Sequence, residues 1–191
     1  ITEGKTINMD SAKCNGKLML LLAGVGFEEK MISSADRDQK NNSGQMAYLR
    51  GLWQAIEQNK IYSLTVQFDD QPPEQIDTQS LVVANAAPFT SLLAQGKGQP
   101  DIADGKLDIT WLTETETPES HLFSLAELAF SGITQDNPDS QVKHRQASRI
   151  RICGDELEKY IIDGEVYKDL PLDIQVQPAS LRVRVPENRG S

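Results

Sequence analysis

The sequence lacks several features that mark common functional classes. Its 191 residues include only two cysteines and two histidines, too few and too scattered for a zinc cluster of the usual kind or a disulfide framework. The longest apolar run extends only from Leu18 to Val25, whereas a membrane-spanning helix needs about 20 residues. We therefore exclude a zinc-cluster protein, a disulfide scaffold and a membrane span built from this run.

Positive charge is also scarce. The chain carries 19 Lys and Arg residues against 28 Asp and Glu residues, a formal net charge of −9. Such a surface argues against nucleic acid as the main partner, because binding to phosphates needs a cationic face. The hydrophobic fraction of 38% predicts a soluble globular protein with a real core. The chain starts at Ile1 rather than methionine and shows no signal peptide, which suggests a processed or excised chain.

Most of the hydrophobic patterning indicates β-strands. The run from Lys17 to Val25 is apolar without interruption from Leu18 onward and predicts one fully buried strand. Residues 62–68 instead alternate between apolar and polar and predict a half-buried strand. Similar patterns predict further strands at residues 81–84, 107–111, 150–152, 160–162, 172–176 and 181–185. Many short strands separated by turn residues are typical of a sandwich or barrel.

Two segments indicate helices instead. Leu49, Leu52, Trp53 and Ile56 share one apolar face with helical spacing, which predicts a helix over residues 46–59. A second helix is predicted over residues 118–131, with its N-cap and a proline at its start and a glycine after its end. The predicted fold class is therefore α+β but mainly β: an antiparallel β-sandwich with two inserted helices, in a single domain over residues 1–191.

Seven short motifs follow one another in order along the chain. They are LLLAGVGF from Leu20, KNNSGQMAYL from Lys40, VVANA from Val82, DGKLDI from Asp104, ASRIRI from Ala147, IDGE from Ile162 and SLRVRVP from Ser180. Each motif alone is weak, but the ordered series resembles the C-terminal domain of the diacylglycerol kinase-like lipid kinases. That superfamily includes sphingosine kinases and bacterial lipid kinases, and the resemblance covers residues 7–186.

The resemblance implies an enzyme that transfers the γ-phosphoryl group of ATP, with Mg²⁺, to a lipid hydroxyl. ATP is held in this family by an N-terminal domain with a Gly-Gly-Asp-Gly-Thr loop, which has no counterpart here. The chain thus resembles the substrate half of a two-domain kinase, inactive without its ATP-binding domain. A cytoplasmic protein working on lipid at the membrane surface is implied, with a homodimer left open. Diacylglycerol, sphingoid base and phosphatidylglycerol all remain candidate substrates.

Glu165 follows Asp163 and Gly164, a dipeptide favoured in tight hairpin turns. The simplest interpretation is therefore a turn residue. The resemblance implies a second role, in which Glu165 is the general base that accepts the proton of the lipid hydroxyl. Both interpretations can hold, because a tight turn fixes a carboxylate. The resemblance also implies that Asp163, Asn85 and Lys40 lie at the substrate cleft.

Asp104 begins another Asp-Gly turn that leads into a strand. The resemblance implies that its side chain and the backbone carbonyls of Leu107 and Ile109 bind a structural Mg²⁺. Hard oxygen ligands suit this ion, with water filling the remaining positions. Without the resemblance, a simple turn is the preferred interpretation.

One alternative belongs to a different functional class. A sandwich of this kind could be a non-catalytic module that binds lipid or a protein partner. A Gly-Gly-Asp-Gly-Thr loop encoded upstream of Ile1 would favour the enzyme, and a natural start near Ile1 would favour the binding module or an ATP-binding domain on another chain.

Overall fold

A computed structural model describes residues 4–26, 60–86, 101–112 and 142–185 of the chain. Both predicted helices, at residues 46–59 and 118–131, lie outside these described residues. The described residues form strands and turns, and they include no helix long and apolar enough to cross a membrane.

Strands account for most of the described chain, and those predicted at residues 62–68, 81–84, 107–111, 150–152 and 160–162 are confirmed. The strands are β1 (Lys5–Cys14), β2 (Lys17–Met19), β3 (Leu22–Val25), β4 (Tyr62–Phe68), β5 (Glu74–Thr78), β6 (Leu81–Ala84), β7 (Leu107–Leu112), β8 (Val142–Ala147), β9 (Arg149–Cys153), β10 (Tyr160–Ile162), β11 (Glu165–Tyr167) and β12 (Leu172–Val185).

The strands form two antiparallel sheets of six strands each. The first sheet has the order β2-β1-β12-β9-β4-β5, and the second has the order β11-β10-β3-β6-β7-β8. Both contribute to one buried core cluster, which includes Leu64 and Ile152 from the first sheet and Val83 and Ile109 from the second. A β-sandwich is therefore confirmed as the mainly β part of the predicted fold.

The prediction of one strand from Lys17 to Val25 is wrong. Lys17–Met19 is β2, which pairs with β1 in the first sheet, and Leu22–Val25 is β3, which pairs with β6 and β10 in the second. The chain bends at residues 20–21 and passes from one sheet to the other. The apolar run stays continuous because β3 is buried on both faces, so periodicity could not reveal the break.

The two strands predicted at residues 172–176 and 181–185 are one 14-residue strand, β12. Met9 pairs with Leu181 and Ser11 pairs with Gln177, so three residues of β12 face one residue of β1. This bulge shifts the apolar alternation from even to odd positions, and Pro178 lies within it, where a missing ladder donor is tolerated. The prediction of a break at Pro178 was therefore wrong.

Four strands were not predicted. β5 and β11 are short hairpin partners of β4 and β10, and β8 lies at the edge of the second sheet. β1 was missed because its apolar residues also change phase, from Ile7 and Met9 to Ala12 and Cys14. A phase change within a strand is what the bulge opposite it produces.

Ion pairs and hydrogen bonds hold the rim of the first sheet. Asp169 binds Lys17 and accepts a 2.7 Å hydrogen bond from the hydroxyl of Tyr160, while Asp173 pairs with Arg149. The Lys17 hydrogen bond, followed by that of Tyr160, lowers the pKa of Asp169 to about 2. These contacts tie the connection between β11 and β12 to the β1–β2 hairpin.

The two cysteines are free thiols. Cys14 is fully buried, and this burial raises the pKa of its thiol to about 12. Cys153 is half-buried at the end of β9. Cys153 thus lies close to the core without a disulfide partner.

Candidate functional site

Glu165 is the first residue of β11 and pairs with Ile162 across a two-residue turn. The turn residues Asp163 and Gly164 have φ values of 47° and 93°, the left-handed conformations that a tight type I′ hairpin requires. Glu165 is exposed, and no hydrogen bond or ion pair with a described residue engages its carboxylate. A short hairpin at the edge of the second sheet therefore holds a carboxylate that is unpaired among residues 4–26, 60–86, 101–112 and 142–185.

Asp163 anchors this hairpin to the bend between β2 and β3. Its carboxylate accepts backbone N–H hydrogen bonds from Leu20 at 2.8 Å and from Leu21 and Leu22 at 2.9 Å, and its own N–H donates to the carbonyl of Leu22. The structure thus gives Asp163 a supporting role beside Glu165. Its predicted contact with substrate stays a prediction.

Asn85 holds the same bend from the other side. Its side-chain amide donates to the carbonyls of Leu20 at 2.9 Å and Asp10 at 3.0 Å, and its backbone N–H donates to the carbonyl of Leu21. The residue is buried, and its Oδ1 atom has no hydrogen-bond partner among the described residues. Because a buried acceptor without a donor is costly, Oδ1 is a position at which a water or ligand hydroxyl would be stabilised.

The Asp104 loop, residues 101–106, contains two similar turns. The Asp101 carboxylate accepts the N–H of Ala103, and the Asp104 carboxylate accepts the N–H of Lys106 at 2.9 Å, as expected of Asx turns. Partial burial raises the pKa of Asp104, and the negative charges of Asp108 and Asp101 add to this rise, although the hydrogen bond from Lys106 opposes it. A cation bound here would relieve this repulsion.

Leu107 and Ile109 lie in β7, and their side chains belong to the core. Only their backbone carbonyls could therefore bind a metal. Leu107 pairs with Ala147 at the end of the strand, whereas Ile109 has strand partners on both sides. The described residues contain no group of three or more His, Cys, Asp or Glu side chains that could hold a metal ion, so a site here would depend on Asp104, carbonyls and water.

Sequence reasoning missed Asp10, a buried carboxylate in β1. It accepts the N–H of Gly105 at 2.7 Å, and its carbonyl accepts the side-chain amide of Asn85. Hydrogen bonds through Asp10 and Asn85 therefore link the Asp104 loop to the bend at residues 20–21. Asp163 binds the Glu165 hairpin to the same bend. The signal in the sequence is the shift of the apolar residues from odd positions up to Met9 to even positions from Ala12, which indicates an irregularity in the strand near Asp10.

Hydrogen bonds thus connect the segments of four of the seven predicted site residues, and Leu107 and Ile109 follow the Asp104 loop in β7. Lys40 lies outside the described residues, and Glu165, Asp163, Asn85 and Asp104 belong to, or are hydrogen-bonded into, a single stretch of the molecule.

A second polar group on the second sheet was also missed. Asp108 accepts hydrogen bonds from His144 at 2.9 Å and Gln146 at 3.0 Å, and the nearby buried Thr110 hydroxyl has no partner in the part of the chain that the structure describes. The register places Asp108 beside Ala84 and Thr110 beside Val82. The outer face of this sheet therefore changes from apolar on β3 and β6 to polar on β7 and β8.

The fold is shared with solved kinase structures. A proposed diacylglycerol kinase from Bacillus anthracis strain Sterne superposes with a TM-score of 0.68 at 17% identity, over 93% of this chain and 56% of that one. A further diacylglycerol kinase structure from the same strain gives a TM-score of 0.62 at 15% identity, over 93% of this chain and 53% of the other. At such identities the likeness establishes the fold alone.

Sequence comparison gives a closer relationship. The uncharacterized protein sll0036 of Synechocystis sp. is 37% identical over 188 residues, which are 97% of this chain and 43% of that protein. The chain thus spans about half the length of the relatives that it matches. Residues 23–185 match the profile of the YegS C-terminal NAD kinase beta sandwich-like domain. The chain belongs to this family.

Proposed function

We propose that this chain is the substrate-binding half of an ATP-dependent lipid kinase. The reaction transfers the γ-phosphoryl group of ATP to a lipid hydroxyl of the diacylglycerol type. Glu165 takes the hydroxyl proton, the hydroxyl oxygen bonds to the γ-phosphorus, and the bond from that phosphorus to the departing ADP breaks. Because phosphoryl transfer depends mainly on positioning and charge stabilisation, a rigidly held base is what this domain would supply.

The observation that carries the proposal is the state of Glu165. Its carboxylate is exposed and unpaired among the described residues, yet its hairpin is fixed by three hydrogen bonds to Asp163. A surface glutamate with only a structural role needs no such support. A general base needs both properties, since it must reach the hydroxyl proton and be held at that position.

The surface beside the hairpin supports a lipid substrate. Ile161, Leu22, Val82 and Ala84 are buried in the second sheet but are not part of the core cluster between the sheets. Their strands are consecutive in the order β10-β3-β6, so they form an apolar outer face next to Glu165. In polarity, such a face matches the hydrocarbon chain of a lipid.

Mg²⁺ belongs to the proposal as a structural ion of the Asp104 loop. The raised pKa of Asp104 favours a nearby cation, and its carboxylate with the carbonyls of Leu107 and Ile109 would supply hard oxygen ligands. The ion would neutralise the loop, while Asp104 would keep its hydrogen bond to Lys106.

The remaining parts of the enzyme are proposed from its relatives. The chain spans 43% of its Synechocystis relative, so an ATP-binding domain outside this chain would provide the nucleotide. The full protein would work from the cytoplasm at the membrane surface, where Asn85, Asp163 and Lys40 would line the substrate cleft.

The test is the substitution Glu165→Gln in the full-length protein. Glutamine keeps the size of the side chain but cannot accept a proton at neutral pH. We expect kcat for lipid phosphorylation to fall by about 10²–10⁴, with KM for ATP and the thermal melting temperature almost unchanged. Transfer of ³²P from labelled ATP to lipid vesicles measures kcat directly.

Glu158→Gln is the matched control, because Glu158 is an exposed carboxylate in the loop before the same hairpin. It should leave kcat unchanged. Full activity of Glu165→Gln would show that Glu165 is only a turn residue. Absence of lipid phosphorylation by the unmodified full-length protein would instead favour the non-catalytic binding module.

A further inference from the structure

Asp10 lies opposite the bulge in β12 and stabilises it. The exposed fraction of Asp10 is 2%. One carboxylate oxygen accepts the N–H of Ala179 at 2.7 Å, and Ala179 has a φ of 50°, a left-handed conformation that is unfavourable for an L-residue with a Cβ atom. Since a bulged residue is left out of the ladder, Asp10 supplies the acceptor that this strained N–H needs.

The second carboxylate oxygen of Asp10 faces the Asp104 loop. It accepts the N–H of Gly105 at 2.7 Å, while the backbone N–H of Asp10 donates to the carbonyl of Ile102 at 2.7 Å. Gly105 has a φ of 73°, and a Cβ atom there would lie 3.8 Å from the side chain of Pro178. Asp10 thus binds the Asp104 loop at Ile102 and Gly105. These two bonds keep the loop beside the bulge of β12.

The backbone carbonyl of Asp10 completes a path toward the Glu165 hairpin. It accepts the side-chain amide of Asn85, which also binds the carbonyl of Leu20. The N–H of Leu20 in turn donates to Asp163, two residues before Glu165. Every link of this path is a hydrogen bond of 3.0 Å or less.

We propose that Asp10 is a positioning residue that holds the Asp104 loop and the Glu165 hairpin in one fixed arrangement. The inference rests on the proposed function only for its catalytic consequence. A buried carboxylate is costly unless it is well bonded, and an apolar residue would fill the core with no such cost. Its carboxylate binds β12 and the Asp104 loop, and its backbone binds the same loop and Asn85. Loss of the two carboxylate bonds therefore frees the backbone of residue 10 to shift, and this shift would loosen its hold on Asn85.

Hydrogen exchange in the full-length protein tests the coupling without any assay of activity. In Asp10→Asn, an amide replaces one of the two acceptor oxygens. We expect backbone amides to exchange at least several-fold faster both at residues 101–106 and at residues 163–165. Faster exchange at residues 101–106 alone, or at neither segment, overturns the proposal.

Asp69→Asn is the matched control. The Asp69 carboxylate also accepts two backbone N–H groups, from Ser148 at 2.8 Å and Arg149 at 3.0 Å, but it lies at the end of β4 in the first sheet. This variant should leave exchange unchanged at both segments of interest. An equal effect of Asp69→Asn and Asp10→Asn would mean general loosening and would overturn the proposal.

Asn85→Ala is a second variant, which keeps the test decisive if Asp10→Asn fails to fold. It removes the link between Asp10 and Leu20, and it also removes the unpartnered Oδ1 atom. Exchange should rise at residues 163–165 but stay slow at residues 101–106, which Asp10 still holds. If residues 163–165 remain protected, the path does not position the hairpin and the proposal fails.

Kinetics give the catalytic consequence. Because a small misplacement of a catalytic group can cost about 10²-fold in rate, kcat of Asp10→Asn should fall by about 10–100-fold, with KM for ATP unchanged. An unchanged kcat overturns the positioning role even if exchange rises. If the unmodified protein phosphorylates no lipid, the proposed function fails, and the exchange experiment still decides whether Asp10 couples the two segments.

Discussion

The two sheets of the sandwich differ in the burial of their outer faces, which point away from the core that they share. In the first sheet, buried residues alternate with exposed or half-buried ones, as in β4 and β9, which is the pattern of a sheet with one wet face. In the second sheet, β3, β6 and β10 are buried at every residue. The first sheet therefore has one buried and one wet face, while β3, β6 and β10 of the second sheet are buried on both faces.

The carboxylates of the two sheets differ in the same sense. Asp169 and Asp173 on the rim of the first sheet are neutralised by Lys17 and Arg149. At the end of the second sheet, Glu165 has no partner among the described residues, and Asp104 is raised in pKa by burial and neighbouring carboxylates. Glu165 and Asp104 thus form no ion pair with a described residue, in contrast to Asp169 and Asp173, although Asp108 of the second sheet does pair with His144.

The largest difference between the two sheets is expected when a charge is placed on each outer face. Val82→Asp puts a carboxylate between Gly24 and Thr110 at a position that is 1% exposed. We expect a loss of about 3–5 kcal/mol in the free energy of unfolding, as for an uncompensated buried charge. Urea denaturation measures this loss.

Gln175→Asp is the corresponding change on the first sheet, since Gln175 is an exposed residue of β12 between Lys13 and Arg149. It should change the free energy of unfolding by no more than about 0.5 kcal/mol. Equal effects of the two substitutions would contradict the distinction between a wet and a buried outer face.

Added Mg²⁺ tests the difference between the carboxylates that are paired within the first sheet and Asp104. Mg²⁺ at about 100 times its Kd should stabilise the nucleotide-free protein by about 2.7 kcal/mol, and Asp104→Asn should abolish this gain. The melting temperature with Mg²⁺ and with a chelator provides the measurement. Asp101→Asn, which alters the neighbouring Asx turn, should retain most of the response, and a full response in Asp104→Asn would refute the assignment.

The smallest expected effect concerns the rim of the first sheet. The pKa of Asp169 is lowered to about 2 from its ordinary 3.8, so ionised Asp169 contributes stability above about pH 4 that is lost as the pH falls toward 2. Asp169→Asn should lower stability slightly at neutral pH and flatten its decline between pH 4 and 2. Acid titration followed by circular dichroism measures this slope. Asp155→Asn, an exposed carboxylate in the β9–β10 connection, should leave the slope unchanged.

Much of the strand content could be predicted from alternation alone, because one-sided burial leaves a period of two in β4 and β9. The prediction of strand boundaries failed where a strand is buried on both faces, and where the alternation of apolar and polar residues shifts by one position. The run from Lys17 to Val25 is apolar through a change of sheet, and β12 is continuous through Pro178 because a bulge absorbs the proline. Neither the change of sheet nor the bulge alters the residue types of these segments. Only the strands with which they pair reveal them.

The site was predicted through resemblance, residue by residue. The positions of Glu165 and Asp104 in tight turns followed from their Asp-Gly dipeptides, but their support did not. The three N–H groups bound by Asp163 come from residues 20–22, more than 140 residues away in the chain. Such contacts depend on tertiary structure, and this is also why Asp10 carried no recognisable motif.

The placement of β12 has a consequence for how the chain must fold. β12 is the last described strand, yet it lies between β1 and β9, and Lys5 pairs with Val185. During synthesis the β1–β2 hairpin cannot join β9, β4 and β5 through β12 until the residues of β12 have emerged. Such long-range pairing predicts folding on the millisecond-to-second scale. Until then β1 and β9 are open sheet edges, the kind of surface on which chaperones act and from which aggregation starts.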